Sequence, residues 1–180
     1  ILSFFLFSTT LLFGTEYTIE TVPNVHLQNA KAFVSNPDAI LSPSAEQQIN
    51  LLLDSLQTKT SAEVAVVAVN SIGDADIKHF ATALFEHWGI GKREKDNGLL
   101  ILFVLDQRKI TFETGYGLEG ILPDAICKRI QTRYMLPEFK TENYDKGMLQ
   151  GLNAIYHRLS TPEAQDELWV QSQTAQEDWG

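Results

Sequence analysis

The feature that most constrains the fold of this chain is an uninterrupted apolar run at residues 99–105, followed closely by a second strand-like segment. Seven apolar residues are too few for a helix of their own, and turn-forming residues lie on both sides, so the run predicts a fully buried strand. Residues 110–114 then alternate apolar side chains (Ile110, Phe112) with polar ones, which is the period of a strand with one buried face. Because only four polar residues separate the two segments, we predict a β-hairpin.

A second buried strand is predicted at Glu63–Val69, where small and β-branched apolar residues follow one another almost without interruption. Such a run indicates that both faces of the strand are covered, as in a parallel or mixed sheet with helices above and below. The order of strand, helix, strand, strand and further helices predicts an α/β fold. We therefore expect a three-layer α/β/α sandwich around a small mixed sheet.

The helices are predicted from their ends as well as from their apolar spacing. Ser42 followed by Pro43 is typical of a helix start, because serine caps the first N–H groups and proline has none to lose. Apolar residues at helical spacing predict a second helix that Asp74 caps and Gly89 ends. Two further helices are expected after the hairpin, at residues 123–134, stopped by Pro137, and at residues 144–159.

Composition divides the chain into four parts. Residues 1–14 are apolar and uncharged, and as a helix they would span roughly 20 Å, short of the hydrocarbon core of a membrane. They resemble the apolar part of a signal peptide, with an uncleaved membrane anchor as the alternative. Residues 15–34 are interpreted as an N-terminal extension, 35–160 as the folded domain and 161–180 as a C-terminal tail. We expect an exported protein, periplasmic or attached to the membrane through its N-terminal segment.

Charge and cysteine content exclude two classes of protein. With 14 Lys and Arg against 23 Asp and Glu, the net charge is −9, which argues against a nucleic-acid partner. Cys127 is the only cysteine, so it cannot form an intrachain disulfide or a cysteine-based zinc site. Cys127 and Arg133 have the spacing of a cysteine phosphatase loop, but no glycine lies between them to build a phosphate cradle. We interpret Cys127 as a buried helix residue.

The residues that flank the hairpin predict a candidate cation site. The segment before the first strand of a hairpin lies beside the segment after the second, so Asp96 and Asn97 should lie close to the glycine-rich residues 115–120. Together with Glu119 and Asp124 they would bring together the oxygen ligands that calcium and magnesium bind. The alternative is an ordinary turn in which Asp, Asn and Gly serve the backbone and Glu119 is solvated.

Several motifs occur in a fixed order along the chain: Asn36-Pro37-Asp38 with Leu41-Ser42-Pro43, Glu63–Val69, Trp88-Gly89-Ile90-Gly91, Asp96-Asn97-Gly98-Leu99-Leu100, Gly115-Tyr116-Gly117-Leu118-Glu119-Gly120 and Pro123-Asp124-Ala125. Together they resemble the TPM domain family, which includes exported bacterial proteins and a thylakoid-lumen protein linked to photosystem II repair. The resemblance covers about residues 22–159.

The resemblance implies an α/β/α sandwich outside the cytoplasm that binds a divalent cation, calcium or magnesium, through acidic loop residues. Position by position it points to Asp96, Glu119 and Asp124 as ligands. Many members have Asp where this chain has Asn36; the alternatives are that Asp38 substitutes for it here or that this corner of the site has lost a ligand. The family also carries a phosphatase designation.

Two functions of different class follow. One is a cation-dependent interaction module that helps to maintain an envelope or membrane protein, which needs only acidic loops and an exposed surface. The other is metal-dependent hydrolysis of phosphomonoesters, in which the cation polarises the phosphoryl oxygen while Arg93 and Lys95 bind the phosphate. The sequence shows no evident nucleophile or general base, which favours the interaction module.

Overall fold

The computed structural model describes residues 14–164 and contains a mixed four-stranded sheet. Its strands, in spatial as well as chain order, are β1 (Val34–Ser35), β2 (Glu63–Val69), β3 (Gly98–Val104) and β4 (Lys109–Thr114). β1, β2 and β3 are parallel, and β4 returns antiparallel to β3. The predicted hairpin is therefore confirmed.

Five α-helices and three shorter helical segments lie between residues 25 and 159. The α-helices are α1 (Pro43–Thr60), α2 (Ile77–Trp88), α3 (Asp124–Ile130), α4 (Leu136–Phe139) and α5 (Tyr144–Leu159). The shorter segments are 3₁₀ helices at Val25–Leu27 and Tyr116–Leu118 and a π-helical turn at Gln131–Met135.

The three-layer sandwich is confirmed by the way β3 is buried. Every side chain of β3 is buried, and successive residues pack to opposite faces of the sheet. Leu99, Ile101 and Phe103 belong to the core formed with α1, α3, α4 and α5, whereas Leu100, Leu102 and Val104 belong to the core formed with α2. This period of two explains why the run is apolar at every position.

Two details of the prediction are corrected. Asp76, not Asp74, caps α2, with its carboxylate accepting the N–H of His79 at 3.0 Å; Asp74 forms an isolated bridge with Ile72 and lies before the helical backbone begins. Pro137 does not stop a helix. It is the second residue of α4, where its missing N–H costs little. The turn of π-helix that precedes α4 separates it from α3.

The strand β1 was not predicted from the sequence. It pairs only with Val66 and Val67 of β2, so its two residues carry no periodic signal of their own. One consequence is that the first three residues of β2, at positions 63–65, have no neighbouring strand on that side within residues 14–164.

The other edge of the sheet is covered by a side chain of α2. The ammonium group of Lys78 donates a hydrogen bond to the carbonyl oxygen of Phe112 in β4 at 3.2 Å and pairs with the Glu113 carboxylate at 2.7 Å. α2 is thereby attached to the outermost strand as well as to the sheet face beneath it.

Residues 1–13 of the predicted signal peptide and residues 165–180 of the predicted tail lie outside the described residues. Between residues 14 and 164, no helix has the length and apolarity needed to cross a bilayer.

Candidate functional site

The segments on either side of the central hairpin meet at one end of the sheet, where β2 and β3 begin and β4 ends. The N–H of Gly115 donates to the carbonyl oxygen of Gly98 at 2.8 Å, and the N–H of Gly117 donates to that of Asp96 at 3.0 Å. The two segments therefore lie side by side, as hairpin geometry predicts. We call this end of the molecule the amino-end surface and define it by Arg93, Asp96, Tyr116 and Glu119; Asp124 follows at the start of α3.

Glycine is required where these two segments touch. A Cβ atom on Gly115 would overlap the carbonyl oxygen of Asp96, and one on Gly117 would overlap that of Lys95. Neither oxygen can yield easily, since both belong to backbone. The glycine-rich loop is thus held directly against residues 95–96, and Tyr116 between the two glycines is 80% exposed. The prediction for residues 115–120 named Glu119 but not Tyr116, although an aromatic residue between two glycines is visible in the sequence.

Asn97 is a structural residue rather than an exposed ligand. It is fully buried, its Nδ2 donates to the carbonyl and hydroxyl oxygens of Ser61 at 2.9 and 3.1 Å, and its Oδ1 accepts the N–H of Lys92 at 3.0 Å. The side chain therefore ties the end of α1 to the loop that carries Asp96. Asn97, which was predicted as a cation ligand, therefore offers no exposed oxygen to a cation.

Asp96, Glu119 and Asp124 are all exposed. Asp96 has a positive φ of 45°, a conformation that Asp and Asn tolerate better than most residues. Glu119 ends the 3₁₀ helix after Gly115, and Asp124 begins α3 a few residues later. None of the three carboxylates takes part in an ion pair within the described part of the chain.

Their donor chemistry suits calcium, since all three are carboxylates. Their arrangement does not amount to a preformed site: among residues 14–164, no group of three or more His, Cys, Asp or Glu side chains is arranged to hold a metal ion. The hairpin brings the loops together without bringing the carboxylates onto one point.

Asp38 lies at the opposite end of the sheet. Its carboxylate accepts the N–H of Asn70, just beyond the last residue of β2, at 2.7 Å and the hydroxyl of Tyr17 at 3.2 Å. Asp96 lies just before β3, whose first residue pairs with the first residue of β2. Asp38 lies beyond the last residue of β2, so the length of β2, about 20 Å, separates the two carboxylates. Asp38 therefore cannot share an ion with Asp96. Burial, and next the nearby Asp38 carboxylate, raise the pKa of Tyr17.

The two predicted phosphate-binding residues lie in the loop between α2 and β3, which also carries Asp96. Arg93 is exposed, whereas Lys95 is partly buried and its Nζ donates to the Ser61 hydroxyl at 3.3 Å. Arg93 is therefore the one of the two whose side chain is presented to solvent.

Cys127 has the properties of a structural thiol. It is buried, its Sγ donates to the carbonyl oxygen of Leu122 at 3.3 Å, and burial raises its pKa to about 11. A thiol with this pKa stays protonated at neutral pH and is a poor nucleophile.

Comparison with known proteins adds a family to this geometry. The N-terminal domain of a protein from P. gingivalis, solved in solution by NMR, is 41% identical, with a TM-score of 0.76 over 81% of this chain and 92% of that one. The BA42 protein from Bizionia argentinensis is 18% identical (TM-score 0.61; 70% and 86% covered), and the N-terminal domain of the cg2496 protein from Corynebacterium glutamicum is 15% identical (TM-score 0.58; 78% and 86% covered). These two show the shared fold alone.

No curated protein matches the chain. The family model of the TPM domain matches residues 34–158, which run from β1 almost to the end of α5. The chain therefore belongs to the TPM domain family.

Proposed function

We propose that this chain is an interaction module whose binding surface is the amino-end surface, and that calcium, with magnesium as a weaker competitor, binds there through Asp96, Glu119 and Asp124. The observation that carries the proposal is the hydrogen bond from the Gly117 N–H to the Asp96 carbonyl oxygen, at 3.0 Å. It fixes the loop that carries Asp96 to the loop that carries Glu119 at one end of the sheet.

The exposure of the carboxylates supports a site that forms on binding. Each is free of ion pairs in the described chain and can turn its side chain without breaking a salt bridge. A divalent cation gains from gathering such oxygens, because Ca²⁺ accepts six to eight oxygen ligands in flexible geometry. The remaining positions would be open to water or to a carboxylate of the partner.

Tyr116 supports a protein partner at the same surface. An aromatic side chain left 80% exposed on a tightly held loop loses little conformational freedom when it is covered. Aromatic residues with a polar tip are enriched at interfaces for this reason. We propose that the partner is an envelope or membrane protein outside the cytoplasm, which the apolar residues 1–14 support.

A thermal-shift titration tests the cation site. We expect CaCl₂ to raise the melting temperature of the wild-type chain, because an ion that binds only the folded state stabilises it. The effect should be lost in Asp96→Asn and weakened in Glu119→Gln. Asn keeps the backbone conformation at position 96, so the loss would be one of charge.

The matched control is Glu94→Gln, a neutralisation of another exposed acid in the loop that carries Asp96. It should leave the calcium effect unchanged. Equal calcium shifts in all of these variants would mean that the ion acts on the net negative charge and would contradict a specific site. In the same preparations, hydrolysis of a generic phosphate ester that disappears in Asp96→Asn would replace the interaction module with a metal-dependent phosphatase.

A further inference from the structure

A cleft of about 270 Å³ lies at the end of the sheet opposite the amino-end surface. The turn between β3 and β4 lines one side of it, and α4, the start of α5 and the loop between these helices line the other. It lies beside the carboxyl end of β3, which is the end at which open α/β sheets commonly bind ligands. An apolar cavity of about 150 Å³ holds one benzene molecule, so this cleft has room for a ring and a polar group attached to it.

The apolar wall of the cleft is a cluster of three aromatic rings. The ring centroid of Phe103 lies 4.6 Å from that of Phe139 and 5.3 Å from that of Tyr144, and the last two are 5.7 Å apart. β3, α4 and α5 each contribute one ring, so three separate elements hold the cluster in place. Tyr144 is only half-buried, and part of the cluster therefore remains uncovered. An apolar ligand group that covered it would gain from leaving water.

Three charged side chains line the rest of the cleft, and they are Arg108, Lys140 and Glu142. All three are exposed, and none takes part in an ion pair within residues 14–164. Glu142 therefore shares the cleft with two cations without pairing with either of them. The chain has a net charge of −9, yet cations outnumber acids in the lining of this cleft.

Two of these charged residues occupy backbone positions that favour glycine. Arg108, in the turn between β3 and β4, has a φ of 51°, and Glu142, just after α4, has a φ of 62°. Such values are disfavoured for any residue that carries a Cβ atom. The turns themselves would be better served by glycine, so the charged side chains at both positions indicate a role of their own.

We propose that this cleft binds a small organic monocarboxylate with an apolar body. Arg108 and Lys140 bind the carboxylate, since both guanidinium and ammonium groups donate to carboxylate oxygens, and the apolar body lies against the aromatic cluster. A single negative charge suits the cleft better than two, because Glu142 lines the same space and would repel a dianion. Aromatic rings beside an acid would also suit an organic cation, but the two cations would repel it.

The test uses the full chain and four probes. Phenylacetate, phenethyl alcohol and phenethylamine share an apolar body and differ in the charge of the head group, whereas acetate has the head group without the body. Backbone amide resonances of Arg108, Glu142 and Tyr144 report binding in two-dimensional NMR spectra. We expect saturable shifts with phenylacetate, about tenfold weaker binding of the alcohol, and no saturable shifts with the amine or with acetate.

Three outcomes of this comparison would overturn the proposal. They are shifts with phenylacetate that do not saturate, shifts that lie outside the cleft, and binding of any other probe as tight as that of phenylacetate. Tighter binding of phenethylamine would identify the cleft as a site for organic cations instead.

Substitutions of the exposed charges separate a specific site from a general response to charge. Arg108→Gln and Lys140→Gln should each weaken phenylacetate binding by about three- to fivefold, the effect of one exposed charge contact. Glu142→Gln should strengthen it by about twofold, because a repulsion is removed. The matched control is Lys109→Gln, which removes the same charge from an exposed neighbour of Arg108 that does not line the cleft, and it should leave binding unchanged. Equal weakening by Lys109→Gln and Arg108→Gln would overturn the proposal.

Discussion

Replacing Asn97 by alanine is the sharpest test of how the amino-end surface is built. Its buried side chain makes three hydrogen bonds, two to Ser61 and one from the N–H of Lys92. Asn97→Ala removes all three and leaves the end of α1 unconnected to the loop before β3. The variant should therefore be markedly less stable than the wild-type chain.

The magnitude follows from counting those bonds. An ordinary hydrogen bond contributes about 1 kcal/mol net, so three of them correspond to about 3 kcal/mol. The Ser61 carbonyl and the Lys92 N–H also lose their partners. Against a total of roughly 5–15 kcal/mol for a typical domain, a loss of this size is large.

The assay is equilibrium unfolding in guanidinium chloride, followed by circular dichroism. We expect a lower transition midpoint with an unchanged slope, since the surface exposed on unfolding stays the same. The control is Asn153→Ala, in which an exposed asparagine of α5 loses only a bond to the Leu149 carbonyl one turn away. It should change the free energy of unfolding by less than about 0.5 kcal/mol. Equal effects of the two substitutions would refute the structural role assigned to Asn97.

Three further predictions concern single positions. Gly117→Ala should lower the free energy of unfolding by about 2–4 kcal/mol in the same assay, from overlap with the Lys95 carbonyl and loss of one hydrogen bond. The control is Gly89→Ala, whose Cβ would meet nothing within 4 Å but whose φ is +61°, and it should cost about 1–2 kcal/mol. A larger loss for Gly89→Ala than for Gly117→Ala would contradict the close contact at Gly117. Cys127 should react with iodoacetamide far faster after unfolding than before, because burial raises its pKa to about 11; rapid native-state alkylation would show an accessible thiolate. The hydrogen bond from the His79 N–H lowers the pKa of Asp76. The stabilisation that this bond gives is therefore present above the ordinary carboxyl pKa and is lost as the pH falls through the lowered pKa. The melting temperatures of the wild-type chain and Asp76→Ala should converge in acid, and a difference that stays constant with pH would count against the cap.

The fold was predictable where a local signal determines the structure. The apolar composition of residues 99–105 predicts a strand, and Ser42-Pro43 predicts a helix start because of how these residues suit a first turn. β1 has no such signal, because its two residues become a strand only by pairing with β2. The prediction that Pro137 stops a helix was wrong because proline is excluded from helix interiors but accepted in a first turn, where Pro137 lies.

The candidate site was predictable to the same extent. Hairpin geometry correctly places Asp96 beside residues 115–120 before any coordinates are known. The burial of Asn97 was not predictable, because Asp-Asn-Gly is also the composition of an exposed turn. Asp38 was named in the same ligand set as Asp96, and its distance from Asp96 was not predictable because β1 was missed. Once β1 is known to run parallel to β2, residue 38 must lie past the carboxyl ends of both strands.

The ammonium group of Lys78 lies across the outermost strand, and this restricts what can be added to the sheet. A second chain that tried to extend the sheet along β4 would have to displace that group from the Phe112 carbonyl oxygen and leave the Glu113 carboxylate without its counter-charge. Lysine at such an edge is a recurrent defence against edge-to-edge aggregation. At the other border β1 offers only two residues for pairing. Pairing of two copies along β4 is therefore disfavoured.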